Sequence, residues 1–192
     1  MALGGVESVS KDDRRRVYRS FQIDANRINA SGRLEFMNQL EKWHRERIIQ
    51  IQMAETAQGE AAYGSTRRAR KAYRYVFTRT VSRTPREAAL LRQIEAILFP
   101  GGASTQSERN DVDIVFNAKK YGCVLVTNDG ASRGQPGGIL GHRQRLEALG
   151  VQILTDEEAV ACVRELILRR DERERGRALA TGEPLADWVG RD

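Results

Sequence analysis

The chain has 192 residues, 40% of them hydrophobic, which suits one domain with extensions and a real core. A formal net charge of +6 favours an anionic partner, most simply nucleic acid. No stretch reaches the roughly 18 apolar residues of a membrane span, Met1 to Ser10 lack the apolar run of a signal peptide, and two cysteines are too few for a disulfide framework, so the expectation is a soluble, cytoplasmic protein with reduced Cys123 and Cys162.

In chain order, residues 1–16 are small, polar and then basic, ending Arg14-Arg15-Arg16, and read as a mobile arm. Val17 to Asp24 reads as a strand. Leu34 to Arg47 has helical spacing, with Leu34, Met37, Leu40 and Trp43 or His44 on one side. Ile48 to Gln52 is a second strand, running into a helix that carries Glu55. Thr84 with Glu87, Thr105 with Glu108 and Thr155 with Glu158 have the spacing of capping boxes, and Pro85 takes the first helical position after Thr84. The first of these helices should end near Phe99, before Pro100-Gly101-Gly102. The second should end at Tyr121, with Gly122 as its C-cap. A buried strand, Cys123 to Thr127, follows, then a Gly-rich loop from Gly130 to Gly141. This loop lacks the Lys-Ser/Thr of a phosphate-binding loop and reads as a flexible connector. After a helix from Arg143 to Leu149 and a strand from Val151 to Leu154, a last helix packs through Val160, Val163, Leu166 and Ile167. Residues 169–192 read as a charged, solvated extension. Strands alternating with helices imply a parallel sheet covered on both faces.

Four acids in this order fall where strands end or helices begin: Asp24, Glu55, Asp111 and Asp129. Asp24 ends Phe21-Gln22-Ile23, and Asp129 closes the apolar strand at Thr127-Asn128-Asp129, the strand end where α/β folds place their sites. Asn128-Asp129-Gly130 is equally good turn chemistry, and Asp24 alone could simply cap the next turn. On the third helix Asp111 shares its side with Ile114, Val115 and Ala118. Asp113 instead joins Asn117 and Lys120 in a polar stripe that should face water, so Asp111 is the better candidate. Glu55 sits in a small-residue helix start, where it could merely complement the helix dipole. Converging carboxylates are the usual way to hold a hard divalent cation, which points to metal-dependent hydrolysis of a phosphate ester.

The order resembles that of a PIN domain, a metal-dependent nuclease fold that includes toxin ribonucleases of the VapC kind. Ile23-Asp24-Ala25-Asn26, Glu55 after the second strand, Asp111 with Ile114 and Ala118 before Tyr121-Gly122, and Thr127-Asn128-Asp129 carry the resemblance, which covers about Val17 to Val163. It implies a three-layer α/β/α sandwich with a short-stranded parallel sheet over residues 17–168, with residues 64–83 as a basic insertion. It further implies an endoribonuclease that leaves 5′-phosphates and uses Mg²⁺ or Mn²⁺. Asp24, Asp111, Asp129 and Glu55 would be catalytic and metal-binding, with Asn26, Asn128 and Thr127 as supporting donors. The toxin role of a toxin–antitoxin pair, with an antitoxin protein as partner, and a homodimer are further expectations. A catalytically idle PIN-like module that binds RNA or scaffolds a complex is the alternative.

From Ala61 to Arg86 there is no carboxylate. Arg67, Arg68, Arg70, Lys71, Arg74 and Arg79 accumulate there, interleaved with Tyr63, Tyr73, Tyr75 and Phe77. Arginines contact phosphates and aromatic faces stack on unpaired bases, so this segment is the expected RNA-binding surface. An exposed helix with core-packed aromatics, or a docking surface for an acidic protein, would have the same composition. His44 and His142 are too isolated for a zinc site.

Overall fold

In the computed structural model, residues 10–17, 19–63, 65–130 and 137–192 are described. Five short strands form one all-parallel sheet: β1 (Ser20–Ile23), β2 (Gln50–Ala54), β3 (Val76–Thr78), β4 (Val124–Val126) and β5 (Ile153–Leu154), in the order β3-β2-β1-β4-β5. The helices are α1 (Lys11–Arg14), α2 (Glu35–Arg45), α3 (Glu55–Ala62), α4 (Thr66–Ala72), α5 (Pro85–Leu98), α6 (Gln106–Lys120), α7 (Gly138–Gly141), α8 (Arg143–Ala148) and α9 (Asp156–Thr181).

From β1 the chain steps outward through β2 to β3. It then returns past β1 through α5 and α6 to reach β4 and β5. Parallel crossovers are right-handed, so this reversal sends helices to opposite faces of the sheet. On one face α2 packs on α9; on the other α5 packs on α6 and α8. The result is the expected three-layer α/β/α arrangement. Phe21, Ile23, Ile51, Met53, Leu125, Ile114 and Phe116 are fully buried between the layers. Gln22, on a central strand, donates to the Ile114 carbonyl at 2.7 Å, which ties β1 to α6. The reversal also leaves a crevice beyond the C-terminal ends of β1 and β4, where open α/β sheets bind ligands.

All three capping boxes form, with each Thr hydroxyl accepting from the Glu amide three residues on. The α6 helix ends at Tyr121, and Gly122 takes the left-handed conformation at φ 64°. Both features follow from interactions within one turn.

Three expectations need correction. Residues 64–83 are no mere insertion: they carry α4 and β3, and β3 pairs with β2 through Gln52↔Val76, Met53↔Phe77 and Ala54↔Thr78. Residues 169–192 are not a solvated extension, because α9 runs on to Thr181 and buries Arg170, Asp171 and Glu174, with Ala186 and Trp188 buried beyond it. Nor are Arg14 and Arg15 on a mobile arm. Arg14 pairs with Glu174 at 3.2 Å, and Arg15 with Asp192. Arg170 lies at the centre of this clasp: it bonds Asp171, Asp192 and the Arg15 carbonyl, and its guanidinium sits 4.6 Å from the Trp188 ring centroid. Opposite charges from distant segments neutralise one another there, so the same residues that look solvated in sequence can be buried. Of the Gly-rich loop, residues 131–136 lie outside the described residues; Gly138 to Gly141 form α7 rather than loop.

Candidate active site

β1 delivers Asp24 to the crevice, and its amide donates to the Val126 carbonyl at 3.0 Å, so the β1–β4 pairing extends to the carboxylate. β4 delivers Thr127 and then Asp129. One hydroxyl joins the two acids: Thr127 Oγ1 donates to Asp24 Oδ2 at 2.7 Å and accepts the Asp129 amide at 3.0 Å. Asn26 Nδ2 also donates to Asp24 Oδ2, at 2.7 Å, while its Oδ1 accepts the Asn128 amide at 3.2 Å. Thr127 and Asn26 therefore contact Asp24 through their side chains. Asn128 contributes its backbone, and its side chain is exposed.

The α7 segment contacts Asp129. The Ile139 amide donates to Asp129 Oδ2 at 2.9 Å, and the Leu140 amide to the Asp129 carbonyl at 2.8 Å. This approach requires a glycine at 138: φ is 46°, and a Cβ would come within 2.7 Å of Asp129 Oδ2.

The crevice is a cleft of about 470 Å³ lined by Asp24, Ala25, Asn26, Ile28, Glu60, Arg68, Ser107, Asp111 and Asp129. Three of the four sequence candidates thus meet. Asp111 enters from α6, on the side that holds Ser107. Asp113 points the other way, to Thr56, Asn117 and Arg83, and is half-buried rather than solvated; Asn117 is buried outright.

Glu55 does not reach the cleft. It is exposed and pairs with Arg79 at 3.0 Å, lining a separate polar pocket with Thr78, Arg83, Gln106, Arg109 and Asp113. Glu60 stands in its place, oriented by Asn110 Nδ2 at 2.6 Å. The buried stripe of α3 is Ala57, Gln58 and Ala61. At 3.6 residues per turn Glu55 and Glu60 flank that stripe on opposite sides, each about 110° from its centre. Periodicity alone makes the two equivalent, and only the packing of α3 against α6 chooses between them.

Burial raises the Asp24 carboxyl above the ordinary carboxylate range. The Thr127 and Ala25 hydrogen bonds pull it back, and the negative charges of Glu60 and Asp129 push it up again. Among the described residues, no three Asp, Glu, His or Cys side chains stand close enough together to hold a metal ion directly. An ion such as Mg²⁺ usually keeps several waters and takes one or two carboxylates, so the oxygen donors here suit it in kind.

Of the basic residues, Arg68 enters the cleft wall and donates to the Ala25 carbonyl at 2.8 Å. Arg67, Arg70, Arg74 and Arg79 are exposed, as are Tyr63, Tyr73 and Phe77. Lys71 and Tyr75 turn inward instead. Both bond Glu41 of α2, at 2.5 and 2.8 Å, so they pin α4 and the start of β3 to the core.

No protein-family model and no curated protein matches the chain. Among solved structures it is similar to one described as "Structure of FitAB bound to IR36 DNA fragment", with a TM-score of 0.40 and 17% identity, covering 71% of this chain and 94% of that one. Among the described residues no helix is long and apolar enough to cross a membrane.

Proposed function

We propose that the chain is a PIN-like nuclease that hydrolyses RNA phosphodiester bonds with the help of Mg²⁺ or Mn²⁺. The observation that carries this reading is the meeting of Asp24, Glu60, Asp111 and Asp129 in one cleft at the reversal point of the sheet. Asp24 and Asp129, linked by the Thr127 hydroxyl, would hold the cation, and Asp111 and Glu60 would orient its waters. A divalent ion so held supplies an activated water and neutralises charge on the leaving oxygen. Arg68 places a guanidinium in the cleft wall, where it can bind a phosphate oxygen. The exposed Arg67, Arg70, Arg74 and Arg79, with Tyr63, Tyr73 and Phe77, would carry a single strand away from the cleft. The residues that resemble PIN toxins extend the proposal to the toxin of a toxin–antitoxin pair, a reading that co-purification with the product of an adjacent gene would test.

The exposed Arg67, Arg70, Arg74 and Arg79 beside Tyr63, Tyr73 and Phe77 support a second reading, an RNA-binding module without catalysis. Incubating labelled single-stranded RNA with the protein and Mg²⁺, Mn²⁺ or chelator separates the two. Metal-dependent cleavage lost in Glu60→Gln and kept in Glu55→Gln is the expected result. Binding without cleavage under every condition would select the idle module, and equal loss in both variants would return Glu55 to the site.

A further inference from the structure

At the N-terminal ends of β1 and β2, at the end of the sheet opposite the carboxylate cleft, lies a second pocket of about 420 Å³. Arg16, Arg19 and Arg47 line it together with His44, and Val17, Ile48 and Ile49 form a buried apolar floor. Among the described residues no carboxylate lines it. Burial lowers the His44 pKa, and its Nδ1 accepts the Ile51 amide at 3.2 Å, so the charge of the pocket comes from the three guanidiniums. Asp13 pairs with Arg16 at 3.8 Å, and Arg19 donates to the neutral Gln152 side chain.

Arg47 adds an independent observation. It follows the end of α2, where the Ile48 amide returns to the Trp43 carbonyl at 2.9 Å and forces residue 47 into the left-handed region at φ 60°. Glycine is the usual occupant of that position. Among the described residues Arg47 is the sole non-glycine with positive φ. Backbone strain of this kind tends to persist where the side chain has a use.

We infer that this pocket is a second binding site, remote from the carboxylates, for a nucleotide: guanidiniums grip the phosphate while the base lies on the apolar floor. Guanidinium forks match phosphate oxygens, and the His44 ring and aliphatic arginine stems, backed by Val17, Ile48 and Ile49, offer a planar ring the apolar surface that a simple inorganic anion would not need. The nucleotide is either free or one unit of a strand.

The test measures binding of ATP, of a 5′-phosphorylated single-stranded RNA and of a glutamate-rich peptide to the full chain in chelator, comparing the parent with Arg47→Ala, Arg47→Gly and Arg19→Ala. ATP or RNA affinity should fall roughly tenfold in each variant, the loss of one charge-assisted contact. Arg47→Gly should at the same time raise Tm by about 2–4 °C by removing the strain, whereas Arg47→Ala should not. Loss of ATP binding marks a free nucleotide as the ligand, and loss confined to RNA marks a strand. Affinities for both unchanged in all three variants, or binding of the peptide alone, overturns the inference.

Discussion

Replacing Thr127 by valine tests whether one hydroxyl organises the candidate site. Valine keeps the shape but removes the donor to Asp24 at 2.7 Å and the acceptor for the Asp129 amide at 3.0 Å. Thr127 is fully buried, so water cannot replace either bond. A hydrogen bond to a charged group contributes about 1.5–3 kcal/mol, and an orphaned buried amide costs about 1–3 kcal/mol, so a combined loss of about 2.5–6 kcal/mol is expected. For a domain of this size that lowers Tm by about 5–24 °C. The effect should depend on pH with a definite sign. The folded-state pKa of Asp24 is raised above its reference of 3.8, so its ionisation costs stability as pH rises from that value through the folded pKa. Removing a donor to the carboxylate deepens that cost, so the valine penalty should be larger at neutral pH than near pH 3.8. Thermal unfolding by circular dichroism at the two pH values measures it. An unchanged Tm, or a penalty identical at both, refutes the role given to the hydroxyl.

Asp24→Asn should end cleavage yet raise the metal-free Tm, by about 2–8 °C, because a buried carboxylate is exchanged for a neutral group that still accepts from Thr127 and Asn26; a lower Tm would show that the charge is satisfied without a cation. Arg170→Ala should cost about 3–5 kcal/mol by leaving the buried Asp171 without its cation and Asp192 with Arg15 alone, and denaturant unfolding would read it. Arg143, gripping Glu158 at 2.8 and 2.6 Å, is the main cause that holds the Glu158 carboxyl at about 2 against a reference of 4.5. A depressed folded pKa gives stability that is present above the unfolded pKa and is lost as pH falls towards about 2. Arg143→Ala should therefore flatten that part of the acid-unfolding curve, and an unchanged curve would discount the pair.

Local interactions made much of the chain legible from residues alone. Each capping box spans three residues, and Asp24 and Asp129 each follow a strand that apolar residues announce. Asp111 was separable from Asp113 because they point to opposite sides of one helix and Asp111 shares its side with the apolar Ile114, Val115 and Ala118. Glu60 was not separable from Glu55, because both flank the same buried stripe and nothing in α3 itself distinguishes the flanks. Nor was β3 visible: three residues among arginines and tyrosines become a strand only by pairing with β2. The charged stretch after Ile167 hid its buried residues for the same reason, since Glu174 and Arg170 are neutralised partly by Arg14 and Asp192 from distant parts of the chain. Propensity, periodicity and caps act within a turn or two of the residue that shows them, and so the sequence by itself determined the elements and which acids end strands. Which flank of a helix meets a cleft, and which charges meet each other, is a property of surfaces brought together from afar, and only the tertiary structure decided it.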